Sequence, residues 1–348
     1  MTDFFIRVKR QLEQRLPFVI YSKPGDNRLI GLFQQNDHMY FSENLSESGF
    51  VMAPFGEGSK ILIPDSFSEE IIVAVTFETV EFGPIPEVES APADGSSFIE
   101  LVTKAKAAID SGDFLKVVVS RKEPISVANF DAVAAFENLV QRYQNAFTYC
   151  WFHPKVGMWL GATPEQLVRT DGNRFYSVAL AGTRSFTGTT NVKWEVKEQD
   201  EQQFVTDYII ESLRPISSEI IVSSPYTSRA GNLLHIKTDV EIVVKDGTDL
   251  QTVVAVLHPT PAVCGVPKSA AMDFIRNNEV HAREFYSGFL GEVNRDGKSD
   301  LFVNLRCMKF EQDDTALFVG CGITKDSDAE KEYLETVHKS MTLKRIII

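Results

Sequence analysis

The chain has 348 residues, of which 43% are hydrophobic and 24% charged, and its formal net charge is −13. These values are typical of a globular protein with a large core, and the acidic excess argues against nucleic acid or an anionic membrane as the main partner. We expect no signal peptide and no membrane span, because charged side chains interrupt every apolar run. The four cysteines form no metal-binding or disulfide pattern, so we expect a cytoplasmic protein.

The first part of the chain combines a helix with short strands. An amphipathic pattern predicts a helix at the N-terminus, and the runs FVIYS, RLIGLF, HMYFS and IIVAVTF are typical of strands. Residues 81–97 contain three prolines and two glycines, which indicates a linker or a long surface connection.

Clearer elements follow from residue 97 onward. Ser97 and Glu100 have the spacing of a capping box, which predicts a helix that ends at Gly112. Further helices are predicted over VAAFENLVQRY, WEVKEQDEQQFVTDYIIESLRPI, VPKSAAMDFIRNN and DAEKEYLETVHKSM. Strands are predicted over FLKVVVSRKEPI, FTYCWFHP, GMWLGATP, RFYSVALAGT, LLHIKTDVEIVV, SGFLGEVN, DLFVNLRCMKF and ALFVGCGI. Because these strands follow one another without regular βαβ alternation, the sequence predicts an α+β fold with antiparallel sheets.

Lys116 is the first candidate for a functional residue. It lies in a predicted strand in which Leu115, Val117 and Val119 form one apolar face. A lysine within a strand is usually exposed at a sheet edge. If Lys116 is buried instead, its pKa falls and its amine becomes a usable base. The pattern leaves both interpretations open.

Glu165 and Arg306 are further candidates, and each lies in a stretch with a predicted secondary structure. Thr163 and Pro164 favour an ordinary helix start with Glu165 in the first turn. Arg306 belongs to a predicted strand and has apolar neighbours; a buried arginine needs a carboxylate or phosphate partner. The short GCG motif at 320–322 permits a close approach of backbone and ligand but is no phosphate loop.

Glu201 lies on the apolar stripe of a predicted helix, in line with Val205 and Tyr208. An acid rarely occupies such a position without a partner. The pattern is equally compatible with a partly exposed acid that pairs with a lysine.

The last predicted helix contains a second acidic group. Glu332, Glu335 and Lys339 share a face that is distinct from the apolar stripe of Leu334 and Val337. The spacing favours a solvated face with a Glu–Lys pair. The alternative is a site in which Glu335 binds a hard cation such as Mg²⁺ while Lys339 binds an anion beside it.

The order of several motifs along residues 97–346 resembles that of the chorismate-binding enzymes. These motifs are FLKVVVSR, GATPEQLV, ALAGTRS, KEQDEQQFV, VLHPTPAVCGVP, REFYSGFLG, VNLRCMKF and FVGCGI followed by EYLETVHK. The family contains isochorismate, salicylate, anthranilate and aminodeoxychorismate synthases. The resemblance implies two packed, mainly antiparallel sheets flanked by helices. It also implies one large domain over 1–348, with a variable part at 1–90.

At two positions this sequence resembles the isochorismate synthases more than the other members of the family. Lys116 stands where the water-using enzymes have lysine and anthranilate synthases have glutamine. Ala181 stands where aminodeoxychorismate synthases have a nucleophilic lysine. The resemblance therefore implies water as the nucleophile, no covalent lysine intermediate, no amidotransferase subunit and a monomer.

The resemblance also implies roles for individual residues. Lys116 resembles the general base that activates water for attack at C2 of chorismate, and Glu165 the general acid that protonates the departing C4 hydroxyl. Glu201 and Glu335 resemble the Mg²⁺ carboxylates, with Glu332 reaching the metal through water. The residues that resemble substrate anchors are Gly182, Thr183, His258, Ala262, Arg306, Gly320 and Lys339; for His258, a structural hydrogen bond is the alternative.

The sequence departs from the family pattern at one position, and two other functions are compatible with the same residues. Gln202 stands where many relatives have histidine, from which we expect altered packing around a retained metal ligand. A salicylate synthase would share the same residues and then eliminate pyruvate. A non-catalytic chorismate-binding protein would need only the anchors. The sequence does not separate a menaquinone from a siderophore pathway.

Overall fold

The computed structural model describes residues 2–77, 95–125, 130–230, 233–310 and 315–347. Within these ranges it describes no side chain for Thr2, Thr183, Ser185, Lys197, Glu201, Ala230 or Leu233. Most of the predicted linker at 81–97 lies outside the described residues.

Helices and strands in the described ranges follow the predicted order closely. The helices are α1 Thr2–Glu13, α2 Ser96–Asp110, α3 Ala132–Arg142, α4 Val196–Leu213, α5 Leu250–Leu257, α6 Lys268–Asn278 and α7 Ala329–Ile347. The strands are β1 Phe18–Ser22, β2 Arg28–Gln34, β3 Tyr40–Ser42, β4 Gly49–Ala53, β5 Lys60–Pro64, β6 Ser68–Ala74, β7 Lys116–Pro124, β8 Phe147–His153, β9 Gly157–Thr163, β10 Gln166–Asp171, β11 Arg174–Ser185, β12 Ser217–Val222, β13 Tyr226–Ala230, β14 Leu233–Val244, β15 Gly265–Val266, β16 Phe289–Arg295, β17 Lys298–Val303, β18 Cys307–Phe310 and β19 Ala316–Ile323.

The strands form two antiparallel sheets, as predicted. The first sheet has nine strands in the order β15-β7-β19-β18-β9-β8-β1-β2-β6. The second has ten strands: nine follow the order β12-β14-β11-β10-β17-β16-β4-β5-β3, and the tenth, β13, pairs with β14. The N-terminal part contributes β1, β2 and β6 to the first sheet and β3 to β5 to the second, so both sheets are completed by residues that are distant in sequence.

An aromatic core lies between the sheets. Trp151, Trp159 and Phe318 from the first sheet and Phe50 and Phe302 from the second belong to one cluster of buried side chains. All five are 2% exposed or less. Alternation along each strand directs these residues inward, and aromatic rings each remove a large apolar area from water. This burial fixes how the two sheets face each other.

Helices cover the outer faces of both sheets. Apolar residues of α1, α3 and the end of α7 pack on the first sheet, with Phe4, Phe136 and Leu343 in one cluster. Val205 of α4 and Val253 of α5 pack on the second sheet in another cluster. The predicted arrangement of sheets inside and helices outside is therefore confirmed.

Several local predictions were wrong. Helix α2 begins after Gly95, so Ser97 is not its cap. Strand β7 begins at Lys116, and Leu115 is 66% exposed instead of lying on the buried face. On α7, Leu334 is only partly covered, because the buried face runs through Tyr333, Val337 and Leu343.

Two errors concern the candidate site itself. Glu165 lies between β9 and β10 and starts no helix, because the chain continues directly from one strand into the next. Arg306 lies in the turn between β17 and β18 at φ +46°, not within a strand. No helix in the described ranges is both long and apolar enough to cross a membrane.

Candidate active site

Glu165 is the most perturbed carboxyl group near the predicted site. Desolvation by burial raises its pKa from 4.5 to about 7, although a hydrogen bond from Thr260 and the charge of Lys116 act in the opposite direction. The Thr260 hydroxyl lies 3.4 Å from Glu165 Oε1. The Glu165 carbonyl accepts a hydrogen bond from Val303 N at 2.9 Å, which fixes the backbone between β9 and β10. A carboxyl group with this pKa holds or releases a proton near neutral pH.

Lys116 lies close enough to Glu165 to act on its titration. It is the first residue of β7, and its backbone pairs with Val266 of β15. Its side chain is half-buried and extends over Gly322 of the neighbouring strand β19, where a side chain in place of the glycine would meet Lys116 Cε at 3.1 Å. The ammonium is therefore held inside the fold and not at an exposed sheet edge, the alternative that the sequence left open.

The segment after α5 lines the cavity beside Glu165. Thr260, Pro261 and Ala262 border this cavity together with Glu165 and Leu180. The structure therefore brings the predicted anchor Ala262 next to the predicted acid.

His258 precedes this segment and is buried. Its Nε2–H donates to Ser287 O at 3.0 Å, and its ring meets Phe289 edge to face. Burial and, to a smaller extent, the charge of Lys268 lower the pKa of His258 to about 4, against the hydrogen bond to Ser287, which raises it. The imidazole is neutral at physiological pH and has a structural hydrogen bond, which was the alternative role for this residue.

Gly182 occupies a bulge in β11. Its φ is +67°, and the register with β14 shifts between Ala181 and Arg184. The carbonyl of Gly182 accepts a hydrogen bond from His235 Nδ1–H at 2.8 Å. Glycine supplies the left-handed conformation that the bulge requires. The side chain of the neighbouring anchor Thr183 is not among the described side chains.

His235 joins this bulge to Glu165. The two side chains line one cavity of about 240 Å³, together with Arg229, Lys237 and Phe302. Burial lowers the pKa of His235, and the positive charge of Arg306 lowers it as well. Sequence analysis missed His235, since a histidine in the middle of a strand gives no signal until the partner strand is known.

Arg306 is a half-buried cation without a carboxylate partner among the described residues. Desolvation lowers its pKa, and the one charge interaction that opposes this is with the Tyr143 phenol. The positive φ at Arg306 places it in a turn beside His235. An arginine in this state is available to a planar anion such as a carboxylate.

Helix α7 faces strand β19 with charged groups. Lys339 Nζ donates to Gly320 O at 3.0 Å and lies 2.7 Å from Glu335 Oε1. Burial raises the pKa of Glu332, the charge of Glu335 raises it further, and hydrogen bonds with Ser327 and Cys321 oppose this rise. Gly320 has no space for a side chain, because a Cβ would lie 2.6 Å from Val119 O and 2.9 Å from Tyr286 Oη.

The charged groups of α7 suit a hard cation. Glu332 and Glu335 offer carboxylate oxygens one helical turn apart, and their mutual repulsion favours a cation between or beside them. No group of three or more potential metal ligands occurs among the described side chains. Glu201 lies on α4 by its backbone, but its side chain is not described, so the third predicted carboxylate is untested.

Two further residues of α4, Gln202 and Glu198, have defined partners. The sequence led us to expect only altered packing at Gln202 and gave Glu198 no role. Gln202 is 2% exposed and donates to Thr206 Oγ1 at 2.9 Å and Thr238 Oγ1 at 2.6 Å, so its amide has well-defined partners. Glu198 accepts from Arg184 of β11 at 3.0 and 3.1 Å. This ion pair joins the bulge at Gly182 to the helix that contains Glu201.

Most of the predicted site residues are thus connected by contacts. Lys116 and Glu165 interact with each other, and Lys116 reaches β19 over Gly322. Gly320 connects β19 to Lys339 and so to the carboxylates of α7. Gly182, His235 and Arg306 form a second group, in which His235 donates to Gly182 O and lies near the charge of Arg306.

A protein with this fold and site is a chorismate-binding enzyme. Residues 77–348 match the family model described as chorismate binding enzyme, and the chain therefore belongs to that family. Isochorismate synthase EntC of Escherichia coli strain K12 is 32% identical over 302 residues, which cover 82% of this chain and 76% of that protein.

Solved structures share the fold at low sequence identity. The menaquinone-specific isochorismate synthase MenF from Escherichia coli has a TM-score of 0.79 at 20% identity, with 96% of this chain and 89% of that chain covered. Anthranilate synthase component I from Streptococcus pneumoniae has a TM-score of 0.72 at 18% identity, with 94% and 90% covered. Because the fold accommodates two named activities, the choice between them depends on the residues of the site.

Proposed function

We propose that the protein is an isochorismate synthase that adds water at C2 of chorismate and expels the C4 hydroxyl. The observation that carries this proposal is the pair of Lys116 and Glu165 in one site. The carboxyl group of Glu165 has a pKa of about 7 and the amine of Lys116 lies within electrostatic reach. The exchange of one allylic hydroxyl for another requires a base for the incoming water and an acid for the departing group.

In this proposal Lys116 acts in its neutral amine form and removes a proton from water, and Glu165 donates its proton to the leaving hydroxyl. Burial keeps a large share of Glu165 protonated up to about pH 7, so its carboxyl group can donate a proton there. The C2–O bond forms as the C4–O bond breaks, so the oxygen of the attacking water becomes the new C2 hydroxyl and the protonated C4 hydroxyl leaves as one molecule of water. The amine and the carboxyl group end the reaction with their protons exchanged, and solvent restores both.

The anions of chorismate are the partners that we assign to the cationic groups. Arg306 has no carboxylate partner among the described residues, and Lys339 donates toward Gly320, which lets both bind carboxylates of the substrate. Backbone groups of Gly182, Thr183 and Ala262 complete the proposed set of anchors. A local cluster of this kind lets a protein with a net charge of −13 bind an anion.

We propose that Glu201 and Glu335 hold Mg²⁺, with Glu332 acting through a water molecule. When bound, the ion would neutralise a carboxylate of the substrate and orient it. Glu332 and Glu335 support this assignment, since they lie one helical turn apart and burial, together with the charge of Glu335, raises the pKa of Glu332.

We also propose that the protein acts without an amidotransferase subunit, as a monomer, and that residues 1–90 form one domain with the core. Water needs no ammonia-supplying partner. The N-terminal strands complete both sheets, which supports a single domain.

The test is chromatography of chorismate incubated with the purified protein, with Mg²⁺ or with a chelator and without ammonia. We expect isochorismate with Mg²⁺ only. Salicylate and pyruvate would favour the salicylate synthase alternative, and anthranilate formed only after addition of ammonium would favour the amine-using members. Unchanged chorismate under all conditions contradicts an enzymatic role.

Lys116→Ala separates a synthase from a binding protein. We expect turnover to fall by about 10²-fold or more, while chorismate binding measured by calorimetry changes little. Lys155→Ala, at an exposed turn, is the matched control and should leave turnover unchanged.

A further inference from the structure

The edge of strand β7 is completed by two side chains instead of a neighbouring strand. The partner strand β15 has only two residues and pairs with Lys116 and Val117. Cys264 O then accepts the amide of Val118 at 2.7 Å. Beyond this point the next groups on the same edge are the carbonyl of Val118 and the amide of Ser120, and a buried peptide group needs a hydrogen-bond partner.

Arg283 and Glu279 supply those partners. Arg283 Nη2 donates to Val118 O at 2.6 Å, and Glu279 Oε1 accepts from Ser120 N at 2.7 Å and from Ser120 Oγ at 3.0 Å. The two charged groups are joined by Nε to Oε2 at 2.8 Å and by Nη2 to Oε1 at 2.5 Å. An ion pair therefore takes the place that an additional stretch of strand would have.

The same ion pair reaches the segment beside Glu165. Arg283 Nη1 donates to Val263 O at 2.9 Å, and Val263 follows the cavity-lining Ala262. One guanidinium thus connects the strand that begins at Lys116 with the segment that contains Thr260 and Ala262. The guanidinium packs on the ring of Phe55, at 4.2 Å from its centroid.

A gain in stability does not explain why this ion pair is buried. The side chains of Arg283 and Glu279 are 3% and 2% exposed. The cost of removing two charges from water offsets most of their attraction, so a buried pair is weak evidence for a gain in stability over apolar side chains. Its hydrogen bonds, in contrast, fix the distance and register of the backbone groups that they join.

From these contacts we infer that the Arg283–Glu279 pair positions Lys116 relative to the segment Thr260–Ala262. The pair touches neither reacting group and acts through the backbone of β7 and through Val263. This inference depends on the proposed role of Lys116 as the base. Loss of the pair would lower the rate of the chemical step more than the affinity for substrate, because the anchors Arg306 and Lys339 lie on other elements.

The experiment compares Glu279→Ala with Glu279→Gln in the full chain. The glutamine keeps an oxygen that accepts from Ser120 N but has no charge, whereas alanine removes the acceptor. We expect kcat for chorismate to fall about 10- to 100-fold in Glu279→Ala and less than about fivefold in Glu279→Gln, with a chorismate dissociation constant within about threefold of wild type in both.

A matched control is a second buried ionic group, on a strand of the other sheet. Glu292 of β16 is 8% exposed and is bound by Lys23, Tyr21 and Arg295. Glu292→Ala therefore also breaks a buried ionic group, and its strand β16 does not pair with β7, the strand of Lys116. We expect it to lower the unfolding midpoint while kcat below that midpoint stays within about twofold of wild type.

Hydrogen exchange gives a readout that does not depend on activity. The amides of residues 116–124 should exchange at least about tenfold faster in Glu279→Ala than in wild type, with Ser120 affected first. If Glu279→Ala does not fold, the double variant Glu279→Leu with Arg283→Met replaces both charges by apolar groups and removes the same hydrogen bonds.

The outcomes are distinct. Wild-type protein that forms no isochorismate contradicts the proposed function, and the exchange measurement then still decides whether the pair fixes β7. A folded variant without the pair that keeps wild-type kcat overturns the inference. So does a Glu292→Ala protein that loses kcat to the same extent as Glu279→Ala.

Discussion

The side chain of Lys116 lies over the backbone of Gly322 on the adjacent strand. A Cβ on Gly322 would come within 3.1 Å of Lys116 Cε and 3.7 Å of its Nζ. The second glycine of the GCG motif thus makes room for a lysine of the protein itself. The first, Gly320, makes room for Tyr286 and for the backbone of β7 in the same way.

Gly322→Ala should therefore displace the amine of Lys116. A methyl group at this distance forces the lysine to move by a few tenths of an ångström or to change its rotamer. We expect kcat to fall on the order of tenfold with little change in the unfolding midpoint. Gly56→Ala is the control, because a Cβ at Gly56 meets nothing within 4 Å. Equal kcat in the two variants would contradict the close contact between Lys116 and Gly322.

The pKa of Glu165 predicts how the rate depends on pH. If protonated Glu165 is the acid, kcat/KM should decline above pH 7, where this carboxyl group ionises. The Thr260 hydroxyl lowers this pKa by its hydrogen bond, so Thr260→Val should shift the decline to higher pH. Thr260→Ser keeps a hydroxyl and should leave the profile near that of wild type. A decline that stays at the same pH in Thr260→Val would contradict this assignment.

The same group should make stability depend on pH. The pKa of Glu165 is about 7 in the folded protein and 4.5 without the fold. Below pH 4.5 the group is protonated in both the folded and the unfolded state and does not change the free energy of unfolding. As pH rises from 4.5 to 7 the unfolded state ionises first, so this group lowers the free energy of unfolding and the loss is complete above pH 7.

Glu165→Gln removes this loss. We expect the variant to be more stable than wild type at pH 8, by at most about 3 kcal/mol, and to differ little at pH 4. Urea unfolding at both values measures the difference. A variant that is destabilised equally at both pH values would show that folding does not raise the pKa of Glu165.

Arg306 is predicted to bind substrate at a cost in stability. Arg306→Met removes a cation that has no carboxylate partner among the described residues, and we expect the free energy of unfolding to rise by about 1 kcal/mol. The dissociation constant for chorismate should rise about 10- to 100-fold, the effect of losing a charge-assisted hydrogen bond. Arg276→Met, at an exposed ion pair with Glu57, should change neither quantity. Unchanged affinity in Arg306→Met would exclude it as an anchor.

His235 is predicted to hold the bulge at Gly182 through its Nδ1–H. Asparagine can donate from nearly the same position, whereas glutamine places its amide nearer to that of Nε2. We therefore expect His235→Asn to keep kcat/KM within about threefold of wild type and His235→Gln to lose about tenfold, the value of one lost hydrogen bond near the substrate. Equal losses in both variants would indicate that the hydrogen bond to Gly182 is unimportant.

Sequence patterns predicted a helix or strand correctly where the residues of that element alone determine its structure. Strands β14 and β19 have the bounds that their apolar runs predicted, and α4, α6 and α7 follow the predicted helices closely. The same patterns gave a wrong prediction where contacts between distant residues determine the structure. Thr163 and Pro164 form a sound helix start, yet pairing with β17 and β8 draws both flanks of Glu165 into strands.

The sequence by itself determined the class of fold and the set of residues from which the site is made, because periodicity and the order of motifs are properties of the chain. The environment of each residue was decided by the tertiary structure alone. The pKa of Glu165 depends on burial next to Thr260 and Lys116, residues about 95 and 49 positions away along the chain. Contacts between such distant residues follow from how the two sheets pack, and no local pattern encodes them.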